Sequence, residues 1–292
     1  MTTAMELQLE HMPHSCALQM QAVYNTLKKA EKRAADYLIG HAKGVNRLSI
    51  QEFASEAGCS EATVVRLSKK LGYEGFPELK RDFAAFENSS DIHEYGSILD
   101  NDSPLEVMHK VFEASAQGLM DTLNMLDPEA YSRALQSLIH AKKILFCGLG
   151  DAGAVAMEAH LRFLRIGVSS LHASDPDTQL IYATQLEPND VVVAISHSGR
   201  SRQILDVVKV AKDRGATVIL ITNFPVSPLS KKSDLILQTA VFSKNMTGEI
   251  MSKRITALCI IESLYINFML NAGSIFAETL KVANETIAIN KI

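Results

Sequence analysis

The chain has 292 residues, which at roughly 150 residues per domain anticipates two domains. Hydrophobic residues make up 47% and charged residues 21%, ordinary globular usage that excludes disorder and fibrous repeats. Its 29 Lys and Arg against 33 Asp and Glu leave a net charge of −4, which excludes gripping nucleic acid through bulk positive charge but permits a small basic reading head.

The chain begins with Glu6 and Glu10 where a secretion signal needs Lys or Arg ahead of an apolar stretch. The longest apolar candidate for a membrane span, residues 255–270, is interrupted by Glu262 and Asn267. Cys16, Cys59, Cys147 and Cys259 are widely spaced and have no clustered His, so neither a metal site nor a disulfide framework is expected. A soluble, cytoplasmic protein without metal or cofactor is the expectation.

The first 86 residues read as helices. Residues 28–41 place Ala34, Tyr37 and Leu38 at helical spacing. Ser49 followed by Glu52 is a capping box that starts a second helix, ended by Gly58. Ser60 caps a third, in which Val64, Leu67 and Leu71 pack inward, and Gly72 stops it. Two short helices joined by a Gly-containing turn form the helix-turn-helix unit, whose second helix enters the major groove of DNA by its N-terminal part. Outward positions there are Glu61, Ala62, Thr63 and Arg66. Arg66 suits guanine, and Ala62 and Thr63 suit a thymine methyl. Ser60, Lys69 and Lys70, with Lys80 and Arg81 beyond, suit phosphates. The competing reading is a helical cap or dimerisation domain whose charges face water. The run from Ser60 to Lys80, with Leu71-Gly72-Tyr73, Gly75-Phe76 and Leu79-Lys80, resembles the recognition helix and following segment of the RpiR family of bacterial transcriptional regulators.

Asn88-Ser89-Ser90-Asp91 and Asp100-Asn101-Asp102-Ser103-Pro104 are turn-forming clusters that bracket a linker. From Lys142 the pattern changes to short apolar runs at 144–147, 168–171, 191–195, 218–221 and 235–237, alternating with helical periodicity. Such runs imply βαβ units and a parallel sheet covered on both faces. Residues 250–270 and 274–289 read as closing helices.

Two loops directly follow strands: Gly148-Leu149-Gly150-Asp151-Ala152-Gly153, and Ser196-His197-Ser198-Gly199-Arg200-Ser201. In a flavodoxin-like strand order these strands are neighbours whose crossovers leave on opposite faces, opening a crevice at their carboxyl ends. Helix N-termini and serine hydroxyls there can hold a phosphomonoester without any Lys. Asp151, a poor neighbour for phosphate, is expected to meet sugar hydroxyls or face away. A dinucleotide site, with Asp175 as ribose-binding acid, fits the glycine spacing but leaves the serine loop unexplained. Residues 130–272 resemble the SIS (sugar isomerase) domain, whose S-x-S-G-x-T/S loop matches Ser196, Ser198, Gly199 and Ser201. The resemblance implies that Ser196, Ser198 and Ser201 bind the phosphate of a phosphosugar, with His197 and Gly199 lining the site; Gly148, Gly150 and Asp151 of the first loop complete the expected effector site. The family's usual Ser or Thr after G-x-G-x is Ala152 here.

The expected fold is α/β: an all-α helix-turn-helix domain (1–88), a linker (89–105), and a doubly wound five-stranded parallel sheet (106–292). The expected function is a transcriptional regulator without catalysis. It binds a double-stranded DNA operator as a homodimer or tetramer, in response to a phosphosugar effector. The alternative is a phosphosugar isomerase or lyase, with His197, His172, Glu158, Glu187 or Glu249 as candidate base.

Overall fold

A computed structural model of the chain describes residues 12–88, 98–99, 101–241, 252–271 and 273–290. The described chain divides into two compact units, one running up to Lys110 and the other from Val111.

The first unit contains helices α1 (His14–Val23), α2 (Lys29–Gly40), α3 (Ile50–Glu56), α4 (Glu61–Lys70) and α5 (Phe76–Asn88). The Ser49 hydroxyl accepts from the Glu52 N–H at 3.2 Å, and the Glu52 carboxylate accepts from the Ser49 N–H at 2.7 Å, so the capping box forms as expected. Gly58 (φ +60°) and Gly72 (φ +90°) supply the left-handed residues that close α3 and α4. The core is built on Phe53, which meets Tyr37 edge-on at 5.0 Å and Phe76 at 5.2 Å. Leu38, Val64, Leu67, Leu79 and Phe83 complete it.

The second unit, which the helix α6 (Pro104–Met125) enters, holds five parallel strands in the order β2-β1-β3-β4-β5. They are β1 (Ile144–Cys147), β2 (Ser170–Leu171), β3 (Val191–Ile195), β4 (Thr217–Thr222) and β5 (Leu235–Gln238). Around them lie α7 (Pro128–His140), α8 (Asp151–Arg165), α9 (Pro176–Thr184), α10 (Arg202–Asp213), α11 (Lys253–Asn271) and α12 (Ser274–Ala288). Alternate residues of each strand go to opposite layers. Phe146, Val193, Ile195, Ile219 and Ile221 pack against α7, α8 and α11. Leu145, Cys147, Val192, Ala194, Val218 and Leu220 pack against α9 and α10. With both faces covered, nothing polar interrupts β1 or β3, which is why their bounds are those expected from the apolar runs.

β2 is shorter than the run at 168–171. The Val168 N–H bonds to the Phe163 carbonyl at 3.1 Å, and Gly167 takes φ +83°, so the start of that run closes α8 instead. Among the described residues no single helix is long and apolar enough to cross a membrane. α11 and α12 pass such a test only as a pair bent by 115°. The Ile260, Ile261, Leu264 and Phe268 side chains of α11 are core.

Phe163 is 1% exposed and touches Phe146, Tyr265 and Phe268 at ring separations of 5.3–5.8 Å. Truncating it leaves a cavity that those rings cannot fill. Phe163→Ala should therefore cost about 3–5 kcal/mol, lowering Tm by roughly 6–20 °C in thermal denaturation.

Candidate functional site

β1 and β3 pair directly, Cys147 opposite Ala194. The chain leaves β1 into α8 on one face of the sheet and leaves β3 into α10 on the other. Two connections diverging from adjacent strands leave a crevice at the strands' carboxyl ends. It is occupied here by a cavity of about 360 Å³ lined by Asp151, Ser196, His197, Ser198 and Ser201, all five from the two loops singled out in the sequence. The helix starts line it too, through Asp151 and Ala152 of α8 and Ile204 of α10. Their first-turn N–H groups carry the positive ends of those helices.

Gly148, Gly150 and Gly199 shape the loops rather than line the cavity. A Cβ at Gly148 would sit 2.6 Å from the Ala152 carbonyl oxygen, so the tight passage from β1 into α8 has no room for a side chain. Gly150 takes φ +57° and Gly199 φ +63°, and a Cβ at Gly199 would overlap the Ser227 hydroxyl. The serine loop is strapped to the segment after β4. The His197 carbonyl accepts from the Asn223 N–H (3.0 Å) and the Thr222 hydroxyl (3.1 Å), and the Gly199 carbonyl accepts from the Leu229 N–H (3.1 Å). The Ser201 hydroxyl accepts from the Ile204 N–H at 3.5 Å, capping α10; a hydroxyl used this way still has its proton to donate.

The structure gives Asp151 partners that the sequence did not indicate. Its carboxylate neither faces away nor stands alone: Lys253 Nζ lies 2.6 Å from it and Arg254 Nη1 3.4 Å, both from the first turn of α11. The Lys253 hydrogen bond holds the Asp151 carboxyl below its ordinary range, outweighing a small burial penalty. The cavity is thus not free of Lys. Lys253, Arg254 and Thr239 line it without having been anticipated, and Thr222 lines it too. The available signal was the basic pair directly after Thr247-Gly248-Glu249-Ile250-Met251-Ser252, but about 100 residues separate it from Asp151.

His197 stands edge-on to Phe224 at 5.8 Å, and its Nε2 is buried without a hydrogen-bond partner. Burial, reinforced by the Lys253 charge, pushes its pKa down to about 4. Of the other candidate bases, His172 sits with Nδ1 3.2 Å from the Phe146 carbonyl, and Glu158 is paired with Arg162 at 2.9 Å. Glu187 is exposed, and none of the three lines the cavity. Glu249 lies outside the described residues. Asp175 caps α9, accepting from the Thr178 N–H at 2.8 Å, which accounts for it without a ribose.

In the first unit, Ser60, Glu61, Ala62, Arg66, Lys69 and Lys70 are exposed on α4 and its cap. Thr63 is not, which corrects its expected outward position. It is 2% exposed, with its hydroxyl 2.9 Å from Ser60 Oγ and accepting from Arg66 Nη2 at 3.0 Å. One turn of helix puts it beside Val64 and Leu67, on the side that packs inward. Lys70, although exposed, is ion-paired at 2.8 Å with the buried Glu31. Burial alone would raise the Glu31 carboxyl, but Lys70 and the Lys28 N–H together hold it below its ordinary range. Lys80 donates to the Leu48 carbonyl at 2.6 Å.

Known proteins share both halves. Residues 15–88 match the model of a helix-turn-helix domain of the rpiR family, and residues 137–266 match the SIS domain model. An uncharacterized HTH-type transcriptional regulator of Thermotoga maritima is 32% identical over 244 residues, spanning 83% of this chain and 87% of that protein. The HTH-type transcriptional regulator HexR of Pseudomonas aeruginosa is 30% identical over 269 residues, spanning 92% and 94%. Among solved structures, the Vibrio vulnificus NanR protein complexed with ManNAc-6P has the same fold, with TM-score 0.60 and 22% identity over 94% of this chain and 98% of that one.

Between pH 6.5 and about 4 the unfolded chain protonates His197 while the folded chain does not. Its contribution is complete above pH 6.5 and is lost as pH falls toward 4, up to about 3 kcal/mol. Urea titrations across that window should give a shallower decline for His197→Gln than for the parent chain.

Proposed function

The chain belongs to the rpiR family of helix-turn-helix transcriptional regulators carrying a SIS domain, and from that premise we propose that a phosphosugar in the cavity between β1 and β3 modulates its grip on DNA. The observation that carries this reading is the convergence of Ser196, Ser198, Ser201 and two helix starts on one cavity. Each hydroxyl or amide bonded to a phosphate contributes about 1.5–3 kcal/mol, enough in sum to fix an anion. Gly148, Gly150 and Gly199 let the backbone approach it, and His197, neutral at physiological pH, lines the site without adding charge. Asp151 keeps Lys253 and Arg254 at the rim. The NanR structure, with ManNAc-6P bound in a protein of this fold, supports the same ligand class.

In the reading head, α4 enters the major groove. Glu61, Ala62 and Arg66 face base edges, while Ser60, Lys69 and Lys70 meet phosphates. Thr63 acts from below the surface, steadying the Arg66 guanidinium through its hydroxyl. Residues 1–88 form the reading domain, 89–105 the linker, and 106–292 the part that binds effector and pairs chains. Two chains then present two heads to a palindromic operator with half-sites about 34–36 Å apart. The protein works in the cytoplasm, where DNA and phosphosugars are both present.

Ser198→Asp adds a carboxylate where the phosphate belongs. In a thermal-shift panel of phosphosugars it should lose the stabilisation of about 2.7 kcal/mol expected at 100 times the dissociation constant, while operator binding survives. Retained stabilisation would refute the cavity assignment. Arg66→Ala should cost about 1–3 kcal/mol on the cognate operator and relax its specificity, read by competition binding. Lys69→Ala should weaken every sequence alike and flatten the salt dependence by close to one unit.

A further inference from the structure

β2 ends early and leaves the carboxyl end of β1 without a strand on that side. It pairs with β1 only at Ile144 and Leu145, opposite Ser170 and Leu171, whereas β3 stays paired with β1 as far as Cys147. Along an extended strand, successive residues turn their N–H and C=O groups to alternate sides. Lys143 faces β3, since its carbonyl accepts from the Val191 N–H at 3.0 Å. Ile144 faces β2, since its N–H donates to the Ser169 carbonyl at 2.9 Å. Phe146 and Gly148 fall in step with Ile144. Their carbonyls face a place where the neighbouring strand has already stopped.

Two side chains stand in for the missing strand. His172, the first residue after β2, places Nδ1 3.2 Å from the Phe146 carbonyl; a carbonyl only accepts, so Nδ1 carries the proton. Gln179, near the start of α9, donates from Nε2 to the Gly148 carbonyl at 3.0 Å and to the Ala173 carbonyl at 2.7 Å. Both protons of that amide are thus spent on carbonyls at strand exits. Gln179 is fully buried, and its Oε1 has no hydrogen-bond partner. Turning the amide over would set Oε1 against two carbonyl oxygens, so its orientation follows from the chemistry. A buried acceptor left unpaired is a cost, and what offsets it here is the pair of donors.

The Gly148 carbonyl is the point at which this anchoring reaches the cavity. It shares a planar peptide with the Leu149 N–H, and in a trans peptide those two groups point in opposite directions. With the carbonyl held on the β2 side, the Leu149 N–H is directed to the β3 side, where the serine loop stands. Leu149 lines the cavity, and its N–H has no partner among the described residues. A released carbonyl is free to turn the other way, setting negative partial charge where an anion needs donors. The first turn of α8 closes over the same atom, since a Cβ at Gly153 would lie 3.1 Å from the Gly148 oxygen. One carbonyl is therefore held between α8 and α9, which cover opposite faces of the sheet.

We propose that Gln179 is a positioning residue of the effector site: it holds the Gly148 carbonyl away from the cavity and so presents the Leu149 N–H to the ligand's anionic group. Gln179 acts through the loop, for it is not among the residues that line the cavity. This role rests on the reading that the cavity binds a phosphosugar, and it names what sets the donor geometry of the first loop.

Two probes serve in isothermal titration calorimetry: inorganic phosphate, and the phosphosugar that stabilises the parent chain most. Gln179→Met keeps the length of the side chain and removes both donors. It should raise the dissociation constants of both probes about 10-fold or more, by similar factors, because the loss falls on the anion. Asp175→Ala is the matched control, removing the cap of the same helix without touching Gly148. It should lower Tm and leave both dissociation constants within about twofold of the parent's. Gln179→Glu keeps the shape, but its carboxyl has a proton to donate only when neutral. Its affinity, measured against the parent's at each pH, should recover as pH falls below neutral. Hydrogen exchange on the parent chain is independent of how the variants fold, and phosphate should slow exchange at the Leu149 amide. A parent chain that binds neither probe overturns the cavity reading and the role of Gln179 with it. If the parent binds, three results each overturn the role of Gln179 and leave the cavity reading standing. They are parent-like affinity in Gln179→Met, an equal loss in Asp175→Ala, and no protection at Leu149.

Discussion

The site depends on a single topological constraint, the reversal of crossover direction between adjacent parallel strands. β1 sends its chain to one face of the sheet and β3 sends its chain to the other, so no connection can fill the space between their carboxyl ends. Backbone amides at two helix starts are left facing that space, and only very tight loops can deliver them. At Gly148 the limit is the Ala152 carbonyl; at Gly199 it is the Ser227 hydroxyl from the strap after β4. Packing against the sheet and the open space at the strand ends are therefore imposed at the same residues.

Electrostatics around the cavity are balanced within it. Asp151 stands at the start of α8, where a carboxylate suits the helix dipole, and it draws Lys253 and Arg254 from α11 toward the same rim. The positive charge so gathered also helps to keep His197 neutral. A neutral imidazole places no charge of its own beside the cavity.

The reading head follows a different economy. α4 is short, and its two faces are sharply divided: Val64 and Leu67 hold the core, while Glu61, Ala62, Arg66 and Lys69 remain outside. Two of its polar residues serve the fold. Thr63 ties the N-terminal turn to Arg66, and Lys70 neutralises Glu31, a carboxylate that would be costly to bury alone. Basic residues on this helix are consequently not equivalent, despite lying on one exposed face.

What was legible in the sequence was whatever is encoded locally. The capping box of α3, the glycine stops of α3 and α4, and the alternation of apolar runs with helical periodicity delimited these helices and β1 and β3, because those signals act within a few residues of the chain; Ser60 stands at the start of α4, but its hydroxyl meets Thr63 Oγ1 rather than a backbone N–H. Both loops at the cavity were visible for the same reason, each being a short string following a strand. The rest was decided by tertiary structure. Thr63 turned inward because one turn of α4 sits against α2 and α3, Val168 was taken up in closing α8, and Lys253 and Arg254 reached Asp151 across about 100 residues of chain. Burial and charge pairing depend on distance in space, and separation along the chain carries no record of it.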